Sequence, residues 1–172
     1  MSNRRTFLKA GVLGALVLAA GGALYRKVQG PPPLAPYRLD GGARTVLAAI
    51  VPAILGPMLP VEAAARAAAV TRTVDGVQGA VGTLTLSTQK EIQDLFGLLW
   101  LAPARRLLAG VPAWDEASTE QVAAFLESWR MHRFGMLRGA YAALHDLVLG
   151  AWYAQPDTWA AIGYPGPIKE LS

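Results

Sequence analysis

Apolar and polar positions recur with helical spacing along most of the chain after residue 40. Val46, Leu47, Ile50, Val51 and Ile54 form one stripe and predict a first helix over 43–55. Pro52 lies inside that pattern and lacks a backbone donor, so a kink or an early stop is expected there. Gly56, Pro57 and Pro60 then make a turn. Val70, Val74, Val77, Val81 and Leu84 predict a second helix over 61–81. Gly76, Gly79 and Gly82 recur every three residues beside that stripe. A glycine costs a helix interior about 1 kcal/mol relative to alanine, so three imply fraying or a very close neighbouring backbone. A phosphate-cradling loop is the sharper reading of the same glycines, but it lacks a preceding strand and the lysine such loops use.

Thr88 and Glu91 read as a capping box that opens a third helix. Its stripe is Ile92, Leu95, Phe96 and Leu99, and it is expected to reach about residue 108, bent by Pro103 near Ala102. Trp100 and Leu101 widen the apolar face, which marks this helix as the central one. A second capping box, Ser118 to Gln121, opens a fourth helix with Val122, Phe125, Leu126 and Trp129 inward. A fifth covers 134–153, with Leu137, Tyr141, Leu144, Val148 and Trp152 inward. Gly135 either separates these last two or merely loosens one long rod. Pro156 ends the regular part, leaving room for one short turn at 158–162 and an extended end. Strand-type alternation is absent, so the fold class is all-α: a single bundle of about five helices, placed at 41–172.

Ahead of the bundle the pattern changes. Asn3, Arg4, Arg5, Thr6, Phe7, Leu8 and Lys9 precede an uncharged run from Ala10 to Tyr25. A basic start, a short apolar middle and a small-residue region are the parts of an export signal. The paired arginines resemble the address read by the bacterial twin-arginine route, with Arg4, Arg5, Phe7, Leu8 and Lys9 as its export-signal residues. Asn3 departs from the Ser or Thr more usual in that motif. The plainer readings are a general secretory signal or a membrane anchor. Against them, Gly11, Gly14, Gly21 and Gly22 dilute the apolar run. Its 16 residues reach about 24 Å as a helix, short of a hydrocarbon core of about 30 Å. The twin-arginine route carries proteins already folded, which usually hold a cofactor or travel with a partner that does. The expected location is therefore the periplasm. Gly21, Gly22 and Ala23 offer a small-x-small cleavage site without a clean Ala-x-Ala; an uncleaved leader would instead tether the body to the inner membrane. The leader is assigned to 1–27 and a linker to 28–40, stiffened by the prolines between Gly30 and Pro36.

Charge follows this division. The formal charge is +4, but five of the 16 basic residues (Arg4, Arg5, Lys9, Arg26, Lys27) lie in a leader that has no acid. The remaining 11 basic residues face 12 acidic ones, so the body sits near −1 and a nucleic-acid partner is set aside. The chain contains no cysteine, which excludes disulfides, thiolate metal sites and c-type haem attachment to this chain.

His132 and His145 are the only histidines, and no metal-binding spacing accompanies them. Arg130, Arg133 and Arg138 make a basic cluster, read either as partners for acids such as Glu127 and for helix-end carbonyls, or as contacts to acidic groups on another subunit. No serine stands in a nucleophile-elbow context and no carboxylate pair accompanies a cleft-forming motif, so no catalytic residue is assigned. Four large aromatics, Trp152, Tyr153, Trp159 and Tyr164, fall in a terminal segment too rich in proline and glycine to be expected to build its own core. Either they fold back to cap the bundle, or they form an adhesive surface of rigid anchors.

The leader, the proline linker, an Ile-Val-Pro helix, Trp129-Arg130-x-x-Arg133 and the ending from Trp152 to Pro167 together resemble one family. It is that of the small subunits of bacterial periplasmic flavin dehydrogenases, such as those of gluconate dehydrogenase and FAD-dependent glucose dehydrogenase. The resemblance spans nearly the whole chain, with leader and tail its specific parts. It implies a non-catalytic subunit that binds a large flavoprotein of the glucose–methanol–choline type, helps it mature and carries it through the twin-arginine translocase. FAD would sit in that partner and no cofactor in this chain; a c-type cytochrome subunit is a further candidate partner. The same resemblance makes Trp152, Tyr153, Pro156, Trp159, Ile162, Gly163, Tyr164, Pro165, Gly166 and Pro167 the partner-binding residues. The alternative is a free-standing periplasmic helical domain that binds a small ligand between its helices.

Overall fold

The computed structural model describes residues 36–111 and 113–166. The leader residues Arg4, Arg5, Phe7, Leu8 and Lys9, most of the linker, and Pro167 lie outside them. Among the described residues there is no strand, and five long α-helices carry the fold: α1 (Gly41–Leu55), α2 (Ala63–Gly82), α3 (Leu86–Trp100), α4 (Thr119–Arg130) and α5 (Gly135–Tyr153). The all-α expectation holds.

The hub of the bundle is α1, not α3. Val46, Leu47, Ile50, Val51 and Leu55 are wholly buried, and α1 touches all four other long helices. On length and hydropathy Gly41–Met58 would also serve as a membrane span, yet its apolar stripe is the centre of the core. Pro52 does not stop the helix, which continues to Leu55. The bond Pro52 cannot make belongs to the carbonyl of Ala48, an exposed residue where water can substitute. Helix α3 loses the central place because its apolar surplus faces outward: Leu98, Trp100 and Leu101 are all exposed.

The ends of α3 also differ from the expectation. Its cap is Thr85, whose hydroxyl accepts from the Thr88 amide, rather than Thr88 itself. Two hydroxyl residues three apart compete for one capping role, and the earlier one wins because the turn after Gly82 delivers it in extended conformation. At the other end the chain does not bend through Pro103. Helix α3 stops at Trp100, Leu101 is extended, and a short turn Ala102–Ala104 leads into a π-helical segment Arg105–Ala109. Pro103 has no N–H to extend the preceding ladder, but fits the first turn of a new one.

The box at Ser118 forms as read, with Ser118 Oγ accepting from the Gln121 amide and Gln121 Oε1 accepting from the Ser118 amide. It sets Val122, Phe125, Leu126 and Trp129 into the core. Trp114 meets the ring of Phe125 edge-on at 5.7 Å and donates its indole N–H to the Leu99 carbonyl at 2.9 Å. Helices α4 and α5 are separate, with Phe134 as the N-cap of α5. Between α2 and α5, Gly76 explains its own presence: a Cβ there would lie 3.1 Å from the Ala151 Cβ. Gly79 and Gly82 face open space and mark no such contact.

The folded body begins before the predicted boundary at 41. Tyr37 is buried in the core, and its backbone is held on both sides. Its amide donates to Gln89 Oε1 at 2.7 Å, and its carbonyl accepts from Gln78 Nε2 at 3.1 Å. Gln89 is itself buried, and its Nε2 donates to the carbonyls of Leu84 and Gly82 at 2.8 and 3.3 Å. Residues 37–40 thus belong to the body rather than to the linker.

Candidate functional site

The terminal segment is built on the end of α5. Gln155 is extended and Pro156 opens a 3-10 turn (Pro156–Thr158), followed by a second (Ala160–Ile162). Thr158, which the sequence reading passed over, is buried; its hydroxyl donates toward the carbonyls of Gln155 at 2.7 Å and Trp152 at 3.1 Å. The Trp152 carbonyl already accepts from the Gln155 amide and the Gln155 carbonyl from the Thr158 amide, so the hydroxyl adds a second donor that docks the tail against the helix end. Gly163 and Gly166, at φ +70 and +96, then turn the chain back through backbone conformations that side chains disfavour.

This segment does make a small core of its own, contrary to the composition-based expectation. Trp159 supplies it. Its indole N–H donates to the Tyr153 carbonyl at 2.7 Å, and its ring meets Tyr164 edge-on at 5.3 Å. Gly166 lies so close to that ring that a Cβ would sit 3.2 Å from Cζ3. One large aromatic therefore replaces the apolar stripe that a Pro- and Gly-rich segment lacks.

The expected partner-binding residues fall into three groups. Trp152 is buried in the bundle. Tyr153 and Trp159 are half-buried, with the Tyr153 hydroxyl 3.5 Å from Met58 Sδ. Ile162 and Tyr164 are exposed, at 55% and 47%, beside exposed Gly163 and Pro165. Capping and presentation are thus divided by residue: the first half of the tail closes the bundle, and the second half offers an apolar knob.

The basic cluster is mostly spent within the chain. Arg130 holds both carboxylate oxygens of Glu127 at 2.7 Å, which pulls the Glu127 pKa below the ordinary carboxylate range. Arg138 donates to the carbonyls of His132 and Arg133 and so ties down the α4–α5 turn. Arg133 lies over the ring of Phe134, 4.7 Å from its centroid. Among the histidines, His132 Nδ1 accepts from the Phe134 amide at 3.1 Å. His145 stacks at a tilt on Tyr141 and lies 3.6 Å from Asp146. Glu127, Tyr141 and His145 line a hollow of about 230 Å³ with residues of α1 and α4. Among the described residues no three His, Asp or Glu side chains converge as a metal site. Tyr37 is buried; its hydroxyl finds no hydrogen-bond partner among the described residues, and burial, with a smaller effect of Asp40, pushes its pKa up.

The sequence reading missed a broad concavity. An open groove of about 850 Å³ runs between α3 and α5, with Ala80 and Leu84 also lining it. From α3 it takes Ile92, Leu95 and Leu98, and from α5 Gly139, Ala140, Ala143, Leu147 and Gly150. Thr88, Glu91, Asp94 and Asp146 bring polar groups to it. The signal was present as a second stripe on each helix. Leu95 and Leu98 lie off the buried line of Ile92, Phe96 and Leu99, and Gly139, Ala143 and Gly150 recur on the side of α5 away from Leu144 and Val148.

No family model, no curated relative and no solved structure matches the chain.

Proposed function

We propose that this chain is the non-catalytic small subunit of a periplasmic FAD-dependent sugar or alcohol dehydrogenase. It binds a large flavoprotein of the glucose–methanol–choline type, helps it mature and takes it through the twin-arginine translocase. The observation that carries this reading is the pairing of Arg4 and Arg5, in a twin-arginine-type leader, with a terminal aromatic segment of the family's wording. The exposed knob of Ile162 and Tyr164 on a Trp159 scaffold supports it, because rigid aromatic anchors suit a protein interface. FAD belongs to the partner, a c-type cytochrome is a candidate third subunit, and an uncleaved leader would hold the complex at the inner membrane.

Replacing Arg4 and Arg5 by lysine tests the carrier role. Both this chain and the flavoprotein should stay in the cytoplasm; flavoprotein recovered from the periplasm would refute it. Deleting residues 157–172 should weaken co-purification of the flavoprotein more than it lowers helix content.

The α3–α5 groove favours a second reading, a free-standing periplasmic protein that binds a small ligand between its helices. Gentle isolation from the cell envelope separates the two: a colourless chain without flavoprotein would support the second and end the first.

A further inference from the structure

We infer that the α3–α5 groove is a seat for one helix of the protein partner, apolar along its buried stripe and edged with lysine or arginine. The inference rests on the partner reading above and adds a second contact surface to the tail. Three features select a helix. The groove follows α5 from Met136 to Gly150, about 21 Å at the helical rise. A helix roughly 10 Å across, sunk to half its depth over that length, displaces on the order of 800 Å³, close to the 850 Å³ available. Its floor on α5 is small, with Gly139, Ala140 and Ala143, which lets large side chains of an incoming helix descend between the flanking helices.

The groove is also open rather than enclosed. Ala143 and Gly150 on its floor are exposed, as are Leu84, Leu98 and Met136 along its walls. A small molecule there would keep much of its surface in water, whereas ligand sites bury most of theirs. A helix leaves its outer face solvated by design.

Charge states the chemistry of the occupant. Glu91, Asp94 and Asp146 stand around an otherwise apolar trough, with Lys90 bonded to Asp94 at 2.7 Å and His145 3.6 Å from Asp146. With Asp94 offset by Lys90, Glu91 and Asp146 leave the rim acidic, which repels a second copy of this same face and attracts a basic-edged helix, chiefly by speeding and orienting encounter.

The test uses the full chain and a fluorescent synthetic peptide, a 16-residue leucine–alanine helix ended in paired lysines, followed by anisotropy. Saturable one-to-one binding is expected. The same helix ended in glutamates should bind at least tenfold more weakly, and Ala143→Trp, which fills an exposed floor position without touching the core, should weaken the lysine peptide at least tenfold. Glu91→Gln with Asp146→Asn should lower the association rate and its salt dependence. Equal binding of the two peptides, or binding unchanged by Ala143→Trp, would overturn the proposal. A photo-cross-linker at position 143 of the full chain must join to the flavoprotein; a product with a second copy, or within the same chain, overturns it as well. If Ala143→Trp leaves flavoprotein co-purification intact while deletion of 157–172 abolishes it, the groove inference falls and the partner reading stands. If wild-type chain retains no flavoprotein yet binds the peptide as described, the partner reading falls instead.

Discussion

Gln89→Met isolates the clamp that fixes where the body begins. Methionine matches glutamine closely in volume and helix propensity, so the change removes hydrogen bonds with little else. Gln89 joins three backbone groups: the Tyr37 amide, the Leu84 carbonyl and the Gly82 carbonyl. The Tyr37 amide serves a residue only 3% exposed, and losing its acceptor costs about 1–3 kcal/mol. Gly82 and Leu84 are exposed, so water replaces the amide donor and the loss there is nearer 0.5–1 kcal/mol. Together this gives about 1.5–4 kcal/mol, or a fall of about 1–2 M in the urea midpoint followed by far-ultraviolet circular dichroism. Gln93→Met, at an exposed site on the same helix, is the control and should stay within about 0.5 kcal/mol of wild type. Hydrogen exchange at the Tyr37 and Leu39 amides should accelerate only in the Gln89 variant. Equal midpoints for the two variants would refute the claim that the clamp stabilises the entry segment.

Three further outcomes follow from the same geometry. Trp159→Ala removes the indole bond to Tyr153 and the edge contact to Tyr164, so the Ile162 and Tyr164 amides should exchange at least tenfold faster while the unfolding free energy of the bundle changes by less than about 1 kcal/mol; unchanged exchange would show that the knob does not rest on Trp159. Gly76→Leu should destabilise the α2–α5 contact by about 1–3 kcal/mol through the 3.1 Å approach to Ala151, whereas Gly79→Ala, facing open space, should stabilise by about 0.5–1 kcal/mol; thermal unfolding decides both, and opposite signs would refute the packing account. Glu62 caps α2 by accepting from the Ala64 and Ala65 amides, which holds its folded pKa below 4.5; its contribution is therefore present above pH 4.5 and lost as pH falls through the folded value, so Glu62→Gln should show a shallower loss of stability on acidification than wild type.

What the chain announces in its residues is local. The stripe of α1, the box at Ser118 and the inward line Val122, Phe125, Leu126, Trp129 each depend on neighbours within two turns, and the structure keeps them all. The absence of alternating patterns likewise determines an all-helical body. Errors arise where a residue serves two rules at once. Thr85 and Thr88 both suit a cap, and only the turn after Gly82 chooses between them. Trp100 and Leu101 look like core by hydropathy, but α1 already fills the centre, so they lie outside.

Tertiary packing alone decides the split of the tail. Nothing in the composition of 152–166 tells that Trp159 would turn inward on Tyr153 and Gly166 while Ile162 and Tyr164 stay outside. Gln89 is the sharpest case. A glutamine in a helix reads as solvent-facing until a distant extended segment, 52 residues away in sequence, passes over it and needs its acceptor. The groove is decided in the same way: each helix carries a second apolar stripe, and only the spacing of α3 from α5 determines whether those stripes meet each other or leave a trough between them. Periodicity is a property of one helix and can be read from its residues, whereas the gap between two helices is set by every side chain that packs elsewhere in the bundle.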